Sequence, residues 1–148
     1  DYADAHLNLG NTLKDLGKLQ EAELSTRKAI EIKPDYAEAH SNLGNILKEL
    51  GKSQDAELLY RKAIELKPDF VNAYSNLGVM LGEIGKLDDA ISSFQKALHI
   101  EKDNEAATIG LGNILNMKGE YREGLRQIKK GEGFIVFDNT KSTMKLYS

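Results

Sequence analysis

The chain has 148 residues, 41% hydrophobic and 29% charged, with a formal net charge of -3. That balance suits one soluble globular domain with a sizeable core and excludes a disordered chain, and the acidic sign argues against a general nucleic-acid binder, which needs a basic face. The absence of cysteine excludes disulfides, thiolate zinc sites and cysteine nucleophiles. No apolar run approaches the roughly 20 residues of a membrane span and there is no signal peptide, so no membrane partner and a cytoplasmic location are expected.

The chain opens on Asp1-Tyr2 rather than methionine, and a piece of a longer protein is expected. The first unit, residues 3–36, aligns without gaps on the second, 37–70, with about two-thirds of positions identical. A third unit covers 71–104, and a fourth starts at 105 and decays after Gly131. Two glycine series mark the register: Gly10, Gly44, Gly78 and Gly112, and Gly17, Gly51, Gly85 and Gly119, each spaced by 34 residues. Asp1-Tyr2 holds the place before unit one that Asp35-Tyr36 holds before unit two, so a further repeat upstream is expected.

Each unit reads as two helices. In the second, Asp35 is expected to cap the first helix and Asp69 that of the following unit, because a short carboxylate accepts orphan backbone N–H groups. Ala39, Leu43, Ile46, Leu47 and Leu50 form a helical apolar stripe. Gly51 then fits a helix end with positive φ. Ala56, Leu59, Tyr60, Ala63, Ile64 and Leu66 form the second stripe, and Pro68 stops it. Gly44 and Ala56 are expected to let the two helices approach closely, and Ala63 to leave room for the next unit. In unit four Gly124 replaces the packing alanine, and Gly131 and Gly133 are expected to break the second helix. Beyond residue 133 comes a tail, 134–148. There Phe134, Ile135, Val136 and Phe137 are β-prone, Asp138-Asn139 is a turn signal, and Met144 to Tyr147 suit a return strand. The tail is expected to cap the solenoid or to lead into a following domain.

Several short motifs yield to plain structural readings. Gly51-Lys52-Ser53 looks like the end of a phosphate loop, but the glycine that G-x-x-x-x-G-K-[ST] requires would sit where Ile46 stands. The equivalent Gly17-Lys18-Leu19 and Gly85-Lys86-Leu87 lack the hydroxyl, so Gly-Lys is a repeated helix end. His6 and His40 share one repeat position and are expected to pack between helices; His99 has no ligand partner at helical spacing. Asp88-Asp89 fits the acidic first turn of a helix. No nucleophile motif or paired-carboxylate site is present, so neither enzymatic activity nor any cofactor or metal is expected.

Tyr74, Leu77, Gly78, Leu81, Ala90 and Phe94 in unit three, and His40, Leu43, Gly44, Leu47, Ala56, Tyr60 and Pro68 in unit two, resemble the tetratricopeptide repeat signature. In unit one Thr26 stands in place of the aromatic. The resemblance covers about nine-tenths of the chain and implies an all-α, right-handed superhelix of α-α hairpins, residues 1–133, whose concave face is lined mainly by the first helix of each unit.

Asparagine is a mediocre helix former, so its repetition has another cause. Asn8, Asn42 and Asn76 share one repeat position; Asn11, Asn45 and Asn113 share the position three residues on, with Val79 as the exception. Residues three apart lie on one helix face, and the resemblance puts that face in the groove, where each amide offers a donor and an acceptor to a peptide backbone. The pattern is similar to the asparagine ladder of O-linked N-acetylglucosamine transferases. Beside it are expected Asp4, Glu38 and Asn72 at the helix starts, Lys14, Lys48, Asp15, Glu49 and Glu83 at the ends, and Leu7, Ser41, Ser75 and Ile109 between. The family's carboxylate clamp for chaperone tails would fall on Leu7, Asn11, Asn42, Asn72 and Asn76, where its basic residues are missing.

The function expected is therefore a non-catalytic scaffold that binds a protein or an extended peptide segment in the groove, with modest, micromolar affinity. Two alternatives stand beside it: a substrate-recruiting arm of a larger enzyme such as a glycosyltransferase, and an assembly unit that self-associates through its repeat ends or tail.

Overall fold

The computed structural model describes residues 1–119 and two strands, 134–138 and 143–147. Seven helices run in order among the described residues: α1 (Tyr2–Asp15), α2 (Leu19–Ile32), α3 (Ala37–Glu49), α4 (Ser53–Leu66), α5 (Val71–Glu83), α6 (Leu87–Ile100) and α7 (Glu105–Lys118). β1 (Phe134–Asp138) and β2 (Thr143–Tyr147) pair antiparallel, Phe134 opposite Tyr147 and Asp138 opposite Thr143. Asp138, expected in the turn, is thus the last residue of the ladder. Gly124, Gly131 and Gly133 lie outside the described residues.

The helix ends follow local chemistry. Gly17, Gly51, Gly85 and Gly119 have φ of 74°, 77°, 80° and 79°, a conformation that costs a residue without a Cβ little. At Gly51 the backbone N–H groups of Gly51 and Lys52 donate to the carbonyls of Lys48 and Leu47, which satisfies the last orphan acceptors of α3. α4 ends at Leu66, just ahead of Pro68. The capping expectation is corrected. α3 and α5 are capped by Tyr36 and Phe70, without a side-chain bond. Asp35 lies one residue too early, in the turn where the Tyr36 N–H donates to the Lys33 carbonyl. The aromatic residue at the cap position packs locally: Tyr36 lies against the cluster of Leu7, Ala29 and Ala39, the Lys33 ammonium is 4.5 Å from its ring centre, and Lys67 lies 5.0 Å from that of Phe70. Side-chain caps occur at α1, from Asp1, and α7, from Asn104.

Each hairpin closes on a glycine facing a large side chain. A Cβ on Gly44 would lie 2.8 Å from the Tyr60 ring, and one on Gly78 would lie 2.9 Å from Phe94. In unit one the Thr26 hydroxyl occupies the space that a Gly10 Cβ would fill. The core runs through the stack, with Leu43, Ile46, Leu47, Tyr60, Met80, Leu81 and Phe94 all fully buried. The outer face of α1 is open: Leu9 is 49% exposed where its equivalents Leu43, Leu77 and Leu111 are 1%, 3% and 2%.

Thr26 is fully buried and its hydroxyl has no hydrogen-bond partner. A buried unpaired hydroxyl costs on the order of 1–3 kcal/mol. Thr26→Val keeps the shape and removes that group, so it is expected to raise stability by about 1 kcal/mol, read as a higher urea midpoint with an unchanged slope.

The curvature sets the site. The backbones of the first helices approach within 8 Å in series, α1 to α3, α3 to α5 and α5 to α7, whereas those of α2, α4 and α6 do not come that close to one another. The row whose members lie closer together is the inner row of a curved stack, so α1, α3, α5 and α7 line its concave side.

Candidate functional site

The repeated asparagines lie along that inner row. Asn8 and Asn113 are exposed, and Asn11, Asn42, Asn45 and Asn76 are half-buried. Two sets are tied together. The Asn42 amide nitrogen donates to the Asn11 amide oxygen across α1 and α3 at 2.9 Å. The Tyr60 hydroxyl donates to the Asn45 amide oxygen at 2.7 Å. These bonds orient the amides. Asn45 is left presenting its N–H groups, Asn11 likewise, and Asn42 keeps its oxygen and one N–H. Asn8, Asn76 and Asn113 have no side-chain hydrogen bond among the described residues.

Sequence reasoning missed the role of Tyr60. Unit three has Phe94 at the place of Tyr60 and Val79 at the place of Asn45, but Asn11 and Asn113 are kept with Thr26 and Ile128 at that place, so the repeats carry no consistent signal for the bond. Burial first, and then the charges of Glu83 and Glu49, raise the Tyr60 pKa, so the hydroxyl keeps its proton for Asn45.

The expected flanking charges are largely spent on one another. Lys14 lies 3.6 Å from Glu49 and Lys48 lies 3.1 Å from Glu83, so each lysine bridges to the next first helix. At the helix starts the Tyr36 hydroxyl donates to Asp4 at 2.6 Å, a bond that, with burial and the nearby charges, pushes the Tyr36 pKa up to about 12. Glu38 accepts from Lys67 at 3.0 Å, which holds its carboxyl below the usual range against the opposing effect of burial. Leu7, Ser41 and Ser75, expected on the open face, are 5%, 2% and 8% exposed and face the stack instead; Ile109 is 48% exposed. His40 is buried and bonds through Nε2 to the Pro34 carbonyl at 2.8 Å, a packing role, while His6 is half-buried. Among the described residues no three His, Cys, Asp or Glu side chains cluster as metal ligands.

On the second helices a different contact joins the units. Glu23 accepts from Arg27 and from Lys52 of the next unit at 2.8 and 3.0 Å. Glu57 does the same with Arg61 and Lys86, at 2.8 and 3.0 Å. For Glu23 burial works against ionisation, but the bonds from Arg27 and Lys52 outweigh it and the pKa falls below 4.5. For Glu57 the Arg61 bond leads, and the pKa again falls below 4.5. A lowered folded-state carboxylate pKa stabilises above the unfolded value, and that contribution is lost as pH falls through the folded value. Thermal midpoints measured from about pH 6 to about pH 3 should therefore fall on the acid side, and the fall should be shallower in Glu23→Gln/Glu57→Gln. Equal slopes in the two proteins would remove these clips from the account.

A solenoid of helical hairpins with an inner row of oriented amides defines the class: a helical-repeat protein with a groove. Family models place it further. A model described as "TPR repeat" matches residues 10–51, and models described as "Tetratricopeptide repeat" match 37–70 and 59–92. The chain carries tetratricopeptide repeats, wound as a right-handed superhelix. No curated protein matches it. The first tetratricopeptide domain of Spaghetti (RPAP3), solved bound to the HSP90 peptide SRMEEVD, is similar at 25% identity and a TM-score of 0.76, over 80% of this chain and 94% of that one. MamA is similar at 28% identity and a TM-score of 0.79, over 86% of this chain and 75% of that one. The NMR structure of the first domain of human RPAP3 shares the fold at 24% identity and a TM-score of 0.77, over 82% and 96%. No described helix is long and apolar enough to cross a membrane.

Proposed function

We propose that the chain is a non-catalytic peptide-binding scaffold whose concave groove holds an extended segment of a partner protein. The observation that carries this is the set of amides fixed by Asn42–Asn11 and Tyr60–Asn45 bonds on the inner helices. In this reading Asn11 and Asn45 donate to peptide carbonyls and Asn42 accepts from a peptide N–H, so the backbone is held with little regard to sequence. Fixing the amides beforehand lowers the ordering cost of binding. The similarity to a domain solved with a bound peptide supports the class of ligand. It does not extend to an acidic chaperone tail. At the clamp positions Leu7 is buried and Asn11, Asn42, Asn72 and Asn76 carry no charge, while Lys14 and Lys48 already face Glu49 and Glu83.

The test is a peptide selected from a random display library against the wild-type chain, titrated into isotopically labelled protein. Amide shifts should concentrate in the side-chain amides of Asn11, Asn42, Asn45 and Asn76 and in α1, α3 and α5. Shifts confined to α2, α4 and α6 would place the ligand on the other face and refute the groove.

A further inference from the structure

Two pairs of repeat positions match one another on neighbouring first helices, and their chemistry changes along the groove. Between α1 and α3 the first is the Asn11–Asn42 amide pair and the second the Lys14–Glu49 ion pair. Between α3 and α5 the matching residues are Asn45 with Asn76 and Lys48 with Glu83, the latter an ion pair at 3.1 Å. Between α5 and α7 the same positions hold Val79 with Gly110 and Gly82 with Met117. Both polar contacts have become apolar at once. Val79 is 40% exposed and Met117 is 63% exposed, so neither is a core residue. The two glycines are fixed by the core beneath them: a Cβ on Gly82 would run into Ile114, and one on Gly110 into Phe94. Their bare backbones leave the surface between Val79 and Met117 low and uncharged, and the flexible thioether of Met117 can shape itself to a guest.

We infer that the α5–α7 end of the groove takes a large aliphatic or aromatic side chain of the same peptide whose backbone lies on the amides. This deepens the peptide-binding reading and rests on it. A charged guest would lose water there and meet no opposite charge on Val79, Gly82, Gly110 or Met117, whereas a leucine-sized side chain gains by leaving water. Packed helices lie about 8–10 Å apart, so two helix spacings separate the α1–α3 contact from the α5–α7 contact by roughly 20 Å, or about six residues of extended chain. The ligand class is an extended segment with one apolar anchor about six residues from its backbone-bound part.

The test uses fluorescein-labelled serine/threonine dodecapeptides, one without and the others each with a single leucine moved along the sequence, read by anisotropy. With the wild-type chain one leucine position should bind about tenfold or more tighter than the leucine-free peptide. Val79→Asn/Met117→Glu gives the residues that unit two carries at those places, Asn45 and Glu49. It should abolish the leucine preference without weakening the binding of the leucine-free peptide. A preference that survives in the double variant, or no preference and no binding in the wild type at millimolar peptide, overturns the inference. The two readings separate: leucine preference lost with Val79→Asn/Met117→Glu but binding indifferent to Asn42→Ala would sink the amide ladder and keep the apolar end.

Discussion

Phe94→Ala is expected to cost about 3–5 kcal/mol, the range for emptying a buried aromatic site. The reason lies in where the ring sits. Its end lies between the bare backbones of two different helices, Gly78 in α5 and Gly110 in α7, and a Cβ on either glycine would run into it. Phe94 therefore closes its own hairpin and the junction with the next first helix together. The glycines cannot collapse into the void by a side-chain rearrangement, since they have none, so most of the cavity should persist. Stability in such a stack is close to a sum of unit and interface terms, so losing one residue that serves both should separate unfolding of the α5–α7 region from that of α1–α4. Urea unfolding of Phe94→Ala should show a lower midpoint and a broader transition than wild type. A loss below about 1 kcal/mol would mean that the junction is held elsewhere.

Most of the fold was legible because a repeat states its rules several times. The glycines at 17, 51, 85 and 119 could be read as helix ends without coordinates, since a glycine recurring at one interval after an apolar stripe marks the positive φ that only glycine adopts cheaply. Gly44 was read with Ala56 as a point of close helix approach; that the Tyr60 ring fills the space beside it was not read. Asp35 and Asp69 misled because capping is a local rule, whereas the cap positions are held by Tyr36 and Phe70, whose rings lie beside Lys33 and Lys67 three residues earlier. Leu7, Ser41 and Ser75 misled because helical phase gives a face but not its width: all three are buried, and Leu7 packs against Ala29 and Ala39.

The spacing of the proposed site residues was legible and their bonds were not. That Asn42 and Asn45 share a face follows from their spacing. That Asn42 reaches Asn11, or that Lys14 and Lys48 are neutralised by Glu49 and Glu83, depends on the offset between stacked units, which no single unit encodes. The Tyr60–Asn45 bond meets a joint replacement in unit three, by Phe94 and Val79, but Asn11 and Asn113 stand with Thr26 and Ile128, so the repeats did not disclose it.

That joint replacement also supplies the sharpest variant for the central claim. Asn45→Ala alone would strand the Tyr60 hydroxyl and confuse binding with stability. Asn45→Val with Tyr60→Phe instead copies unit three, and Asn42→Ala removes the other central amide. Two lost hydrogen bonds at about 0.5–1.5 kcal/mol each predict a loss of about tenfold or more in affinity. Isothermal titration of the library-selected peptide into Asn42→Ala/Asn45→Val/Tyr60→Phe, beside a thermal melt, is the direct measurement. The account predicts that weakening with a melting midpoint within a few degrees of wild type; unchanged affinity in a folded triple variant would contradict it.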